Sequence, residues 1–395
     1  MGPTQIADHT FWVGVNDRET DLFESVWPIP RGISYNAYVI ADEKVALVDT
    51  VKSNSFDTFI EKVRHGIGSR GKVDYLIVNH MEPDHSGVIR RLLDCYPDLK
   101  IVGNKKTAAL LDAFYGISEN VHVVTDGDTL RLGSHTLQFH LTPMVHWPET
   151  MMTYDMHTKV LFAGDAFGTF GALDGGVFDD EVDVDYYDDE ILRYFSNIVG
   201  KYSKMVQKAL GKLSGLDIAE IASTHGPVWR EHPERIVSIY DKWSAQEPDP
   251  GLVIVYGSMY RNTECMMEHV AKGAVEAGLK DVRVHNVPRS HLSYVLRDAW
   301  RYQGLVLGTP TYDAGIFPPM DAVVRLLEEK RLAKRTVGLF GTYGWSGGGV
   351  KGLRAFVEGA DLELVEPVVE ACCSATEEQL DSCRELGRCI AQRVM

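Results

Sequence analysis

From Leu252 onward the apolar positions alternate between two periods. Leu252-Val253-Ile254-Val255-Tyr256 is a continuous apolar run, as expected of a strand covered on both faces. Thr263 to Ala277 switches to helical spacing, and the switching then repeats. The pattern predicts strands at 282–286, 304–308, 336–340 and, briefly, 362–365. It predicts helices at 292–300, 320–329, from Val350, and from Ala375 to the end. Strict strand–helix alternation of this kind gives an α/β fold, a doubly wound parallel sheet with its ligand site in the loops at the carboxyl ends of the strands.

The preceding residues read differently. Apolar or aromatic strand-like runs fall at 10–15, 37–40, 45–49, 73–78, 101–102, 137–141, 159–162 and 218–222. Helical stretches intervene at 55–65, 87–96, 106–114 and 188–213. Many strands with scattered helices predict a layered α/β domain. Between the two regions, Ser244-Ala245-Gln246-Glu247-Pro248-Asp249-Pro250-Gly251 carries two prolines and a glycine and reads as a linker. A chain of 395 residues exceeds one ordinary core, so the expected domains are 1–248 and 249–395. The acidic stretch from Asp179 to Glu190 is expected to be a solvated loop and helix start.

Composition narrows the function. With 45% hydrophobic and 24% charged residues the chain belongs with soluble globular proteins. No apolar run approaches the ~18 residues of a membrane span. The first residues lack the basic segment and apolar core of a signal peptide, so a cytoplasmic location is expected. The formal charge of −16 repels nucleic acid and anionic membrane, and neither is an expected partner. None of the six cysteines forms a Cys-x-x-Cys pair, which excludes a rubredoxin or iron–sulfur module within these residues.

The candidate chemistry is concentrated in His80-Met81-Glu82-Pro83-Asp84-His85, directly after the 73–78 run. A strand end is a rigid base from which to project ligands. His146, Asp165 and His225 follow later apolar runs. Singly, each is an ordinary turn or surface residue. Together, four ionisable side chains in six residues are costly to bury without a metal. Seven imidazole and carboxylate groups, with no thiolate, suit two ions of iron, manganese or zinc.

In the second region, three loops leave predicted strand ends. The first, Gly257-Ser258-Met259-Tyr260-Arg261-Asn262-Thr263, runs into a helix and offers hydroxyls, an amide and a helix N-terminus to an anion. The second contains Pro310, Thr311, Tyr312, Asp313 and Gly315; the third contains Gly344, Trp345, Ser346 and Gly347. A phosphate loop with aromatic, glycine-rich walls is what flavin mononucleotide (FMN) requires. The G-x-G-x-x-G dinucleotide fingerprint is missing after the first strand, which disfavours NAD.

These residues resemble the flavodiiron proteins over essentially the whole chain. The first region is similar to the metallo-β-lactamase fold, an αββα sandwich, and the second to flavodoxin. Hydrolytic members of the first fold carry His-x-His-x-Asp-His; here Glu82 replaces the second histidine. The resemblance implies that His80, Glu82 and His146 hold one iron, that Asp84, His85 and His225 hold the other, and that Asp165 bridges them. The position of His85 is a ligand in some relatives and gives way to water in others. Ser258, Met259, Tyr260, Asn262 and Thr263 match the phosphate loop, while Arg261 departs from the small residue usual in flavodoxins. The implied activity is reduction of O2 to water, NO to N2O, or both. Electrons would pass through FMN from an external donor such as a rubredoxin, a reduced deazaflavin or a flavin reductase. The implied assembly is a head-to-tail homodimer, or a tetramer of such pairs. Two other classes compete: a zinc or manganese hydrolase, which would favour histidine over Glu82, and an electron carrier on a docking scaffold, which would not need all seven donors.

Overall fold

The structure, a computed structural model, describes residues 2–395. The chain forms two compact units, Met1–Asp241 and Lys242–Met395.

The first unit contains a seven-stranded and a five-stranded sheet. The larger runs, in spatial order, Thr4–Ala7, Thr10–Trp12, Tyr38–Ala41, Val45–Val48, Tyr75–Ile77, Lys100–Gly103 and Val121–Val123. Its first four strands pair antiparallel and the rest join in parallel. The smaller sheet runs Thr129–Arg131, Thr136–Leu141, Met151–Asp155, Val160–Gly164 and Glu220–Ser223. Side-chain alternation decides how they stack. Tyr38, Ile40, Val48 and Ile77 from one sheet share a buried core with Leu137, Phe139, Met151 and Phe162 from the other. Val39 points the opposite way, towards Gly66 of helix Phe56–Ile67. On the far side, Leu161 and Ile221 lie under helices Ser203–Leu213 and Pro233–Ser244. The layers are therefore αββα.

Several expectations need correction. The helical stretch 188–213 is two helices, Val184–Tyr194 and Ser203–Leu213, separated by a π-type segment at Phe195–Val199 and a 3-10 turn at Gly200–Tyr202. Strand Met151–Asp155 escapes sequence reading because all five residues are buried, so no alternation marks it. The acidic stretch is not wholly solvated: Asp179 is buried and accepts the backbone N–H groups of Arg230, Glu231 and His232. Glu190 is buried in an ion pair with Arg193.

The second unit is a sheet of five parallel strands with a short sixth strand, Gly315–Ile316, paired antiparallel to the third. In chain order the five are Asp249–Tyr256, Val282–Asn286, Tyr302–Tyr312, Arg335–Tyr343 and Leu362–Cys372. Their spatial order is second, first, third, fourth, fifth, the flavodoxin-like arrangement, whose switch point lies between the first and third strands. Asp249, Pro250 and Gly251, expected in the linker, already belong to the first strand. The register slips between Asp249 and Leu252, and that irregularity admits Pro250. Gly251 is required there: a Cβ would meet the Tyr302 ring at 2.2 Å. The last strand runs on past the expected 365. Pro367 interrupts the apolar pattern, but it sits at a register shift on an edge strand, where proline is tolerated. Among the described residues no helix is long and apolar enough to cross a membrane.

Candidate functional site

Backbone geometry at strand ends brings the seven candidate ligands together. His80, Glu82, Asp84 and His85 follow strand Tyr75–Ile77; the last two lie on the one-turn helix Pro83–Ser86, with proline at its first position. His146 comes from the loop joining Thr136–Leu141 to Met151–Asp155. Asp165 and His225 follow the neighbouring strands Val160–Gly164 and Glu220–Ser223. Beneath them Asn79 ties the sheets together. Its amide groups donate to Asp49, its side-chain oxygen accepts from Thr153 at 2.7 Å, and its carbonyl accepts from Met151. The turn at His225 needs Gly226, whose φ is +80° and whose place a Cβ could not share with Thr169, 2.2 Å away.

The donors form two adjacent groups. His80, Glu82, His146 and Asp165 have ligand atoms within 4.8 Å of one another, as do Asp84, His85 and His225. Asp165 spans them. Its Oδ2 lies 3.0 Å from His146 Nε2 and 3.6 Å from His80 Nε2, and its Oδ1 lies 3.0 Å from His85 Nε2 and 3.8 Å from His225 Nε2. All four histidines therefore turn Nε2 inward. The outward nitrogens are held in two cases. His80 Nδ1 donates to Glu149 at 2.8 Å, and His225 Nδ1 donates to the Ser34 carbonyl at 2.7 Å. Those bonds select the tautomer whose inward nitrogen bears a lone pair. Thr224 donates to Asp165 Oδ1 at 2.5 Å.

Neighbouring charges and burial shift the cluster's proton affinities strongly. Burial opposes charge on His85 and His146, but Asp84 and Asp165 beside the first, and hydrogen bonds to Asp165 and Glu82 from the second, raise each to about 9. Burial alone would raise Glu82, yet its bonds from His146 and His80 hold it well below the usual carboxylate range. Asp84 goes up to about 7, through burial and the nearby Glu82 and Asp165 charges. Burial and positively charged His85 push His225 down to about 4. Both carboxylate oxygens of Asp84 and Nδ1 of His85 are shut off from solvent and have no hydrogen-bond partner. Convergent lone pairs, three carboxylates and orphaned oxygens fit a pair of metal ions. A cleft of ≈ 500 Å³ lined by Phe23, Glu24, Tyr35, Lys52, Phe114 and Tyr115 reaches Glu82 and Asp84.

In the second unit a cavity of ≈ 440 Å³ opens at the carboxyl ends of the strands. Of the sequence candidates, Ser258, Met259, Tyr260, Asn262, Thr263, Pro310, Thr311, Tyr312, Asp313, Gly344, Trp345 and Ser346 line it. Arg261, Gly315 and Gly347 do not. Arg261 is exposed, with Nε 3.1 Å from Glu264. Helix Asn262–Glu276 starts among these lining residues, and no side chain caps its N-terminus. Ser258 Oγ is shut off from solvent and without a partner. Tyr260 and Trp345 are 84% and 93% exposed, aromatic area left uncovered around an anion site. This combination fits the phosphate and ring of FMN.

Sequence reasoning missed Glu149 and Ser34, which orient ligands, and Ala314, Thr342, Tyr343 and Cys373 in the cavity wall. Ala314, Thr342 and Tyr343 carried a signal, by their place in the expected strand-end loops; Cys373 carried none.

Comparison with known proteins agrees with this geometry. The family described as ODP family beta lactamase matches residues 33–226, and the flavodoxin family matches residues 254–387. The anaerobic nitric oxide reductase flavorubredoxin of Escherichia coli O1:K1 / APEC is 34% identical, over 98% of this chain and 82% of that protein. The rubredoxin oxygen:oxidoreductase of Desulfovibrio gigas superposes with a TM-score of 0.94 at 28% identity, covering 99% of this chain and 98% of the other. A flavodiiron protein from Giardia intestinalis gives 0.94 at 26%, covering 100% and 97%.

Proposed function

We propose, from the premise that this chain belongs to the flavodiiron protein family, that it is a reductase of O2, NO or both, working through a two-iron site and FMN. Membership makes it an oxidoreductase with a metallo-β-lactamase-like unit and a flavodoxin-like unit. The observation that carries the finer reading is Asp165, one carboxylate whose two oxygens face two different groups of donors.

In this reading His80, Glu82 and His146 hold one ion, Asp84, His85 and His225 hold the other, and Asp165 joins them. When bound, two irons and FMN supply the electrons that turn O2 into water, or two NO into N2O and water. The chain's own part is placement. Glu149 and the Ser34 carbonyl keep the His80 and His225 lone pairs aimed inward. Glu82, Asp84 and Asp165 favour the oxidised metals as hard anionic donors. Ser258, Asn262, Thr263 and the open helix N-terminus take the phosphate; Tyr260, Tyr312 and Trp345 cover the ring. The electrons enter from an external donor such as a rubredoxin, a deazaflavin or a flavin reductase. The working unit is a head-to-tail homodimer, in which one chain's FMN serves its partner's irons.

Iron, zinc and FMN per chain, measured on protein grown with iron, test the reading together with NO and O2 consumption. Two irons, one FMN and turnover of either gas support it. Two zincs that iron cannot replace, with hydrolytic activity, would overturn it. Flavin without any metal would leave an electron carrier.

A further inference from the structure

The first unit gathers a third set of ligand-type side chains away from the site above. Asp8 lies in the turn between strands Thr4–Ala7 and Thr10–Trp12 of the larger sheet. His135 precedes strand Thr136–Leu141, and His157 lies in the turn after Met151–Asp155, both in the smaller sheet. These turns are at the opposite ends of those two strands from the loop that carries His146. Five residues of extended chain place them roughly 13–17 Å from it.

We propose that Asp8, His135 and His157 form a separate site for one zinc ion, which clips the edge hairpin of one sheet to the other. One ligand atom from each of the three lies within 4.8 Å of the others. His157 Nε2 is 3.5 Å from Asp8 Oδ2, and the His135 and His157 rings lie 4.8 Å apart. Tetrahedral zinc with bonds of about 2.0–2.1 Å sets its ligand atoms about 3.3–3.4 Å apart. Closure therefore asks only a small inward movement of Asp8 and His157, whose side chains are exposed.

The decisive atom is His135 Nε2. His135 is fully buried, and Nε2 has no hydrogen-bond partner. Its other nitrogen, Nδ1, donates to Asp155 Oδ2 at 2.7 Å. A neutral ring thus presents a buried lone pair with no donor, and a protonated ring presents a buried N–H with no acceptor. The His135–Asp155 pair by itself leaves that atom unexplained, whereas a metal ligand with a carboxylate behind it accounts for both nitrogens. The same Asp155 accepts from the backbone N–H of His157 at 3.1 Å and from Thr158 Oγ1 at 2.5 Å, so one carboxylate holds the His135 ring and the turn that carries His157. Two imidazoles and one carboxylate select zinc over magnesium or calcium, which prefer all-oxygen shells. Water completes the fourth position, or His9, whose Nε2 is 3.9 Å from Asp8 Oδ1.

The test uses the full chain carrying iron and FMN, cleared of loose metal and titrated with zinc chloride against a chromophoric chelator. Zinc, iron and flavin are then counted in the same sample. The expected result is one zinc per chain added with no loss of iron, and a higher melting temperature. His157→Ala and Asp8→Ala change exposed side chains and should weaken zinc binding about 100-fold, leaving iron, flavin and turnover unchanged. Asp155→Asn should weaken it about tenfold. Zinc that enters only as iron leaves would overturn the site. So would zinc bound equally well by His157→Ala, or no uptake at all.

Discussion

The two candidate sites offer a ligand different things. The metal cluster stands on strand ends; His80, His85 and His225 are at most 1% exposed, and its positions are held by Asn79, Glu149 and Ser34. What it offers is charge and lone pairs: three carboxylates converge with four inward-turned imidazoles. The flavin cavity offers apolar area instead. Its walls are loops whose largest aromatic rings face solvent, and its anion contacts are an uncapped helix end and an orphaned hydroxyl. One site therefore depends on electrostatics and on fixed geometry, the other on coverage of apolar surface. Damage to the first should be steep, and damage to the second graded.

The steepest expected loss comes from Glu82→Ala. It removes the carboxylate that both His80 and His146 approach at 3.2 Å. Turnover of NO and O2 should fall to background, with iron content reduced, while FMN remains bound because its lining residues lie in the other unit. Loss of flavin from this variant would refute the independence of the two sites. Glu149→Gln is milder: it keeps an acceptor for His80 Nδ1 and the Met81 N–H but deletes the charge. Iron affinity or turnover should drop about 10–100-fold. An unchanged variant would reduce Glu149 to a structural hydrogen bond.

The contrast also explains which features could be read before folding. Each of the seven metal-site donors follows an apolar run, and four lie in six consecutive residues, so one pass along the chain finds them. Glu149 has no such mark. It reaches His80 across 69 positions, because the loop before strand Met151–Asp155 folds over that of strand Tyr75–Ile77. The Ser34 contact is through a backbone carbonyl, which no side-chain pattern can announce. The central strands of the second unit's parallel sheet were legible because strands buried on both faces are near-continuous apolar runs. In the first unit, two- and three-residue strands such as Leu22–Phe23 and Thr129–Arg131 are too short to establish a period. Prolines misled the reading in the first and last strands of the second unit, since Pro250 and Pro367 are admitted within those strands by register shifts.

The raised proton affinities of the histidines should appear as a pH dependence of metal binding to stripped protein. His80, His85 and His146 are all raised, the last two to about 9, and each must lose its proton to become a ligand. Affinity should rise with pH towards about 9, by up to tenfold per unit for each proton displaced. His225, lowered to about 4, is already neutral and should not contribute. The stripped fold runs the other way. Raised histidines stabilise it fully below their unfolded value of about 6.5, and that stability is lost as pH climbs through about 9. Chelator competition and melting curves at several pH values measure both; slopes of equal sign would contradict the proton-for-metal exchange.

The smallest effect is expected at the exposed rim of the flavin cavity. Trp345 lies almost wholly in solvent, so nothing in the fold depends on it and Trp345→Ala should leave the melting temperature of flavin-free protein unchanged. In the loaded protein its ring would lie against the flavin. An aromatic pair contributes about 0.5–1.5 kcal/mol beyond area burial, which predicts FMN binding weakened roughly two- to tenfold. Ser258→Ala bears on the phosphate end instead: removing an orphaned buried hydroxyl costs the empty site nothing but deprives a bound phosphate of a donor. If FMN loses affinity in both variants and riboflavin, which has no phosphate, loses it only in Trp345→Ala, the cavity has the expected polarity, with ring at the aromatic rim and phosphate at the helix end. A reversed pattern would mean that the flavin lies in the opposite sense.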